Sequence, residues 1–110
     1  MNKNPSVSFI ICTYNRASYL DDTLRSLLDF SSPEFDYEFI VIDNNSTDNT
    51  AGVAEKFRTI AAQNGTKLHY FKETKQGLSY ARNRGIREAG AKNVVFFDDD
   101  IRATQSLIPS

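Results

Sequence analysis

Short apolar runs alternate with longer stretches of helical spacing along the whole chain. Val7 to Cys12 is rich in strand formers, and Leu20, Leu24, Leu27 and Leu28 then recur as one buried helix face. Ser18 is placed to cap this helix, with Asp21 and Asp22 in the first turn, where the helix dipole favours negative charge. Ser31-Ser32-Pro33 ends it. A second run, Glu38 to Asp43, is continuously apolar at Phe39-Ile40-Val41-Ile42, the pattern of a strand covered on both faces. The polar turn from Asn44 to Thr50 leads into a second helix with the stripe Val53, Phe57, Ile60 and Ala61 and the stop Asn64-Gly65. Leu68 to Phe71 reads as a third, shorter strand. A third helix is expected from Leu78 to Ala89, burying Leu78, Ala81, Ile86 and Ala89. Gly85 inside it implies close packing on the sheet, and Gly90 marks its end. Val94 to Phe97 is the fourth strand and runs directly into Asp98-Asp99-Asp100.

This order predicts an α/β fold: three layers of right-handed βαβ units around a mainly parallel four-stranded sheet. The 110 residues suit one domain, 1–110, without linkers or repeats. Thirteen basic residues against fourteen acidic ones leave no excess of positive charge, which disfavours generic nucleic-acid binding. Cys12 is the one cysteine, so no internal disulfide forms. No stretch reaches the roughly 20 apolar residues of a membrane span, and the N-terminus has no signal-peptide pattern. A cytoplasmic chain is expected, with any membrane association left to sequence beyond it.

Parallel strands joined by crossover helices end on one edge, and ligands bind in the crevice there. The residues following each strand are therefore the candidate site. They are Thr13-Tyr14-Asn15-Arg16, Asp43-Asn44-Asn45-Ser46, Glu73-Thr74-Lys75-Gln76-Gly77 and the three aspartates. Adjacent carboxylates at the end of a buried strand repel one another, and a divalent cation relieves the repulsion. On extended backbone Asp98 and Asp100 point the same way, which suits Mg²⁺ or Mn²⁺ shared with substrate phosphates. A solvated acidic turn is the alternative. Asp43 can accept hydrogen bonds from a ribose hydroxyl or a base, or can cap the turn that follows it. Asn44 to Asp48 read as turn and capping residues without chemistry of their own. Glycine-rich dinucleotide and Walker-type phosphate loops are missing from the sequence. Cys12 and His69 read as structural. Arg82, Arg84 and Arg87 form a solvated face, from which Arg82 is the arginine expected to turn toward the site.

Four segments, in order and spanning nearly the whole chain, carry a resemblance. They are Val7 to Arg16, Phe39 to Asp48, Gly77 to Ile86, and Phe96 to Asp100. The sequence resembles family 2 nucleotide-sugar glycosyltransferases, which have the A-type fold. The resemblance implies that Thr13 and Tyr14 line a base pocket and that Asp43 hydrogen-bonds the base, commonly uracil. It implies that Gly77 lets backbone approach the nucleotide, and that Asp98 and Asp100 are the two ends of a D-x-D motif. Asp98 would contact ribose or metal, and Asp100 would ligate the metal bridging the diphosphate. The implied activity is inverting, metal-dependent sugar transfer from a nucleotide-diphosphate sugar, a UDP-sugar first, as in cell-surface polysaccharide synthesis.

Two departures stand out: Cys12 replaces the family's usual proline, and relatives continue well past the D-x-D into an acceptor-binding region. The carboxylate that deprotonates the acceptor belongs to that region, so no catalytic base is assigned here. The competing readings are a non-catalytic sugar-nucleotide-binding module and a purely structural domain. An unpaired sheet edge after the fourth strand would favour self-association.

Overall fold

The computed structural model describes residues 5–29 and 36–98, the side chain of Asp98 excepted. Seven elements alternate: β1 (Val7–Thr13), α1 (Ala17–Asp29), β2 (Tyr37–Asp43), α2 (Thr50–Gln63), β3 (Lys67–Lys72), α3 (Leu78–Glu88) and β4 (Asn93–Asp98). The four strands form one sheet in the order β3-β2-β1-β4, with every pairing parallel. The expected α/β architecture is therefore present. Each strand is longer than its apolar run by one to three residues, because backbone pairing continues past the apolar side chains. The helix stop expected at Ser31-Ser32-Pro33 lies outside the described residues.

Alternation along the strands divides the core in two. Phe9, Ile11, Phe39, Val41 and Leu68 face one way and pack with Leu20, Leu24 and Leu27 of α1 and with Val53, Phe57 and Ala61 of α2. Ile10, Ile40 and Ile42 face the other way and meet Ala81 of α3. Register keeps like with like across neighbouring strands, Phe9 beside Phe39 and Ile10 beside Ile40. Each fully buried large apolar side chain contributes about 1.5–3 kcal/mol relative to exposure. The central strands are covered on both faces, as the unbroken Phe39-Ile40-Val41-Ile42 run required.

Helix details differ from expectation in instructive ways. α1 begins at Ala17, so Ser18 lies inside the helix and Asp21 and Asp22 fall beyond its first turn. The capping carboxylate comes from elsewhere in the chain: the Ala17 N–H donates to Asp48 Oδ2 at 3.1 Å. Asp21 instead pairs with Arg25 at 2.8 Å and with Lys56 of α2, joining the two helices. In α2 the buried stripe is Val53, Ala54, Phe57 and Ala61, while Ile60 reaches solvent. The expected stop is a Schellman motif, with Thr66 N–H on Ala61 O and Gly65 N–H on Ala62 O.

α3 is the clearest correction. Leu78 and Ile86, expected in the core, are 57% and 52% exposed, and the buried residues are Ala81 and Gly85. A Cβ on Gly85 would stand 2.6 Å from Ile10 Cγ2, so the helix lies too close to the sheet for larger side chains on its inner line. The helix ends at Glu88, one residue short of the expected Ala89, which is its C-cap. Gly90 donates its N–H to Glu38 Oε2 at 2.8 Å. Glu38, buried at the N-terminal edge of the sheet, also accepts from Ser8 Oγ at 2.6 Å and lies 3.2 Å from His69 Nε2. This fastens the α3–β4 turn to the sheet, and His69 has the structural role expected of it. No helix among the described residues is long and apolar enough to cross a membrane.

Candidate functional site

The chain steps outward from β1 to β3, then returns to place β4 on the opposite side of β1. The strand order thus reverses beside β1, and a crevice forms at such a reversal. Thr13 is in register with Asp43 and Cys12 with Asp98. The backbones of Asp43 and Asp98 consequently flank the end of β1, two strand spacings or about 10 Å apart.

Asp43 is 2% exposed, and both its oxygens are engaged. Oδ1 accepts the Ser46 N–H at 2.9 Å, and Oδ2 accepts the Tyr70 hydroxyl at 2.5 Å. The turn-capping alternative is therefore realised. Each carboxylate oxygen keeps a second lone-pair direction for another donor. Burial, and then the bond to Asp43, push the Tyr70 hydroxyl well above the ordinary tyrosine range.

Asn44 ties the second loop to the third. Its Nδ2 donates to Lys75 O at 2.8 Å and to Glu73 O at 3.3 Å, while its Oδ1 accepts the Gly77 N–H at 2.9 Å. The Asn44 N–H itself donates to Thr13 O at 2.8 Å. Glu73 is buried, accepts the Lys75 N–H at 3.0 Å and faces Arg84 and Arg87 at 3.7 and 3.8 Å.

Asn15 and Asp48 tie the first loop to the second. Asn15 Oδ1 accepts from Thr47 N–H at 2.7 Å, and the Asn15 N–H donates to Ser46 Oγ at 2.9 Å. Asp48 Oδ1 accepts the Thr50 N–H and hydroxyl at the start of α2, while Oδ2 takes the start of α1. The Thr50 hydroxyl bond and these backbone donors hold the Asp48 carboxyl below its usual range against the opposing effect of burial. Asn15 and Asn45 both adopt positive φ, 50° and 67°, a conformation asparagine tolerates better than most side chains.

Of the residues singled out from sequence, Thr13, Tyr14, Asp43, Gly77 and the backbone of Asp98 converge on this edge. Thr13 is buried and Tyr14 is 46% exposed. Gly77 has φ 136°, and a Cβ there would stand 3.2 Å from the Tyr80 ring, so the backbone is bare where α3 begins. Arg82 lies with its guanidinium 5.6 Å from the Phe96 ring centroid, stacked on β4. Asp100 lies outside the described residues. Among the described residues no group of three or more His, Cys, Asp or Glu side chains is arranged to hold a metal ion. Asp48 caps as the turn was expected to, whereas the loop-joining bonds of Asn44 and Asn15 and the contact of Tyr70 with Asp43 were not foreseen from sequence. Tyr70, a hydroxyl-bearing residue at a core-facing strand position beside Val41, was the readable signal.

The fold is that of the A-type nucleotide-sugar transferases. The chain belongs to glycosyl transferase family 2, whose sequence pattern matches residues 8–110. Glycosyltransferase AglE of Haloferax volcanii is 33% identical over 104 residues, covering 94% of this chain and 33% of that protein. Residues 1–349 of S. aureus TarS in complex with UDP-GlcNAc superpose with a TM-score of 0.74 at 31% identity, covering 86% of this chain and 26% of that one. The mannosyltransferase PcManGT of Pyrobaculum calidifontis, in complex with GDP-Man and Mn²⁺, gives a TM-score of 0.77 at 28% identity, covering 90% and 28%. The chain thus spans a third or less of the length of these three relatives.

Proposed function

We propose that the chain supplies the donor site of an inverting, metal-dependent glycosyltransferase that takes its sugar from a nucleoside diphosphate, UDP first. The observation that carries this reading is the convergence of Thr13, Tyr14, Asp43, Gly77 and the end of β4 on one edge of a family 2 fold. UDP-GlcNAc in TarS and GDP-Man with Mn²⁺ in PcManGT support the ligand class.

In this reading Tyr14 packs against the base and Thr13 closes the pocket wall. Asp43 offers its remaining lone pairs to the base, its carboxylate already fixed by Tyr70 and Ser46. Gly77 presents bare backbone to the nucleotide. The carboxylates of Asp98 and Asp100 are hard oxygen donors of the kind Mg²⁺ and Mn²⁺ take. A bound cation would supply Lewis-acid stabilisation to the departing diphosphate. Arg82 stays on Phe96 as a flanking positive charge. No residue of this chain is assigned the base that deprotonates the acceptor, a function typically contributing about 10²–10⁴-fold.

Calorimetric titration of UDP into the chain, with and without Mn²⁺, tests the reading. Binding that requires Mn²⁺ and is lost in Asp100→Ala is expected. Equal affinity in the variant, or no binding of UDP, GDP or dTDP, would contradict it.

A further inference from the structure

We infer that Asn44 is the positioning residue of the donor site: its side-chain amide holds the loop from Glu73 to Gly77 in its binding shape. This inference rests on the donor reading for its ligand, a diphosphate-bearing nucleotide, and on geometry for everything else.

The loop joins β3 to α3 and contributes Lys75 and Gly77 to the ligand edge. Asn44 is 7% exposed and reaches it from the end of β2, holding it at its start, middle and finish through Glu73 O, Lys75 O and Gly77 N–H. The amide orientation is fixed by its partners, since two carbonyls face Nδ2 and one N–H faces Oδ1. Only a primary amide satisfies all three. Aspartate at this position would set a carboxylate oxygen against the two carbonyls, and a hydroxyl is too short to span them.

The consequence falls on ligand-facing groups. Gly77 is held at φ 136°, directly before the first turn of α3. Lys75 is gripped at both backbone ends, its carbonyl by Asn44 and its N–H by Glu73, with its ammonium 5.7 Å from the Tyr80 ring centroid. A loop otherwise free to sample many shapes is thereby preset, and the ordering cost is removed from the binding step. Through the bond from its N–H to Thr13 O, Asn44 also joins the end of β1 to the loop from Glu73 to Gly77.

The test compares the wild-type chain with Asn44→Ala, Asn44→Asp and Ile40→Val, the last a core change away from the edge. Amide hydrogen exchange by NMR and UDP affinity in the presence of Mn²⁺ are both read, well below each protein's unfolding temperature. Gly77 exchange at least about tenfold faster in Asn44→Ala is expected, with core amides such as Val41 unchanged. UDP affinity about tenfold weaker in both Asn44 variants is expected, with Ile40→Val binding as wild type despite its lower stability. Unchanged Gly77 exchange, or wild-type affinity in a folded Asn44 variant, would overturn the inference. Where the alanine variant does not fold, the isosteric aspartate variant decides. A wild-type chain that binds none of UDP, GDP and dTDP sinks the donor reading, and Gly77 exchange then decides the loop assignment alone.

Discussion

At the scale of single residues, the edge is organised by polar side chains that face protein rather than solvent. Tyr70 shows what this costs and gains. A hydrogen bond from a phenol to a charged acceptor contributes about 1.5–3 kcal/mol, and here it fixes the rotamer of Asp43. Burial, and then this contact, disfavour the phenolate, so the folded-state pKa lies above the unfolded value near 10.0. The unfolded chain therefore loses this proton first as pH rises. The contribution is fully present below about pH 10 and declines above it. Urea unfolding between pH 7 and 11 should show that decline in wild type, and Tyr70→Phe should lack the part due to this group while being less stable at pH 7. Identical pH slopes would contradict the assignment. That Asp43, Gly77 and the backbone of Asp98 fall at this edge was legible in the sequence because strand ends are legible. Asn44 was not, because its partners stand 29 to 33 residues away and nothing local distinguishes it from an ordinary turn asparagine.

At the scale of elements, all seven were readable from periodicity, and the errors share one cause. Sequence patterns report what an element buries on average, not how near its neighbour lies. α3 has Leu78 and Ile86 at plausible core spacing, yet Ala81 and Gly85 define its inner line because the helix sits almost on Ile10. Likewise Ser18 resembled a cap, but Asp48 reaches the start of α1 from 31 residues away. Gly85→Ala separates the two effects at α3. Helix propensity alone would make alanine about 1 kcal/mol more stable, while overpacking typically costs about 1–3 kcal/mol. Net destabilisation by denaturant titration is expected, larger for Gly85→Val, with coupling to Ile10→Ala in a double-mutant cycle. A stabilised Gly85→Ala with no coupling would show that α3 lies farther from the sheet.

At the scale of the whole molecule, the order β3-β2-β1-β4 brings the C-terminal ends of four parallel strands to one edge. Alternating elements imply a parallel sheet but do not fix which strands are neighbours. The reversal beside β1 became visible only in the fold. It puts Asp43 and the end of β4 on either side of Thr13 and leaves the opposite edge to the Glu38 cluster. The central claim is that a metal and a nucleoside diphosphate meet at this C-terminal edge. Mn²⁺ is paramagnetic and broadens the NMR signals of nearby amides, so its position can be read directly in the presence of UDP. The account predicts selective broadening at Cys12 to Tyr14, Asp43 to Asn45, Gly77 and Asp98, with Ser8, Glu38 and Gly90 unaffected. Broadening centred on the Glu38 edge, or spread evenly over the chain, would contradict it.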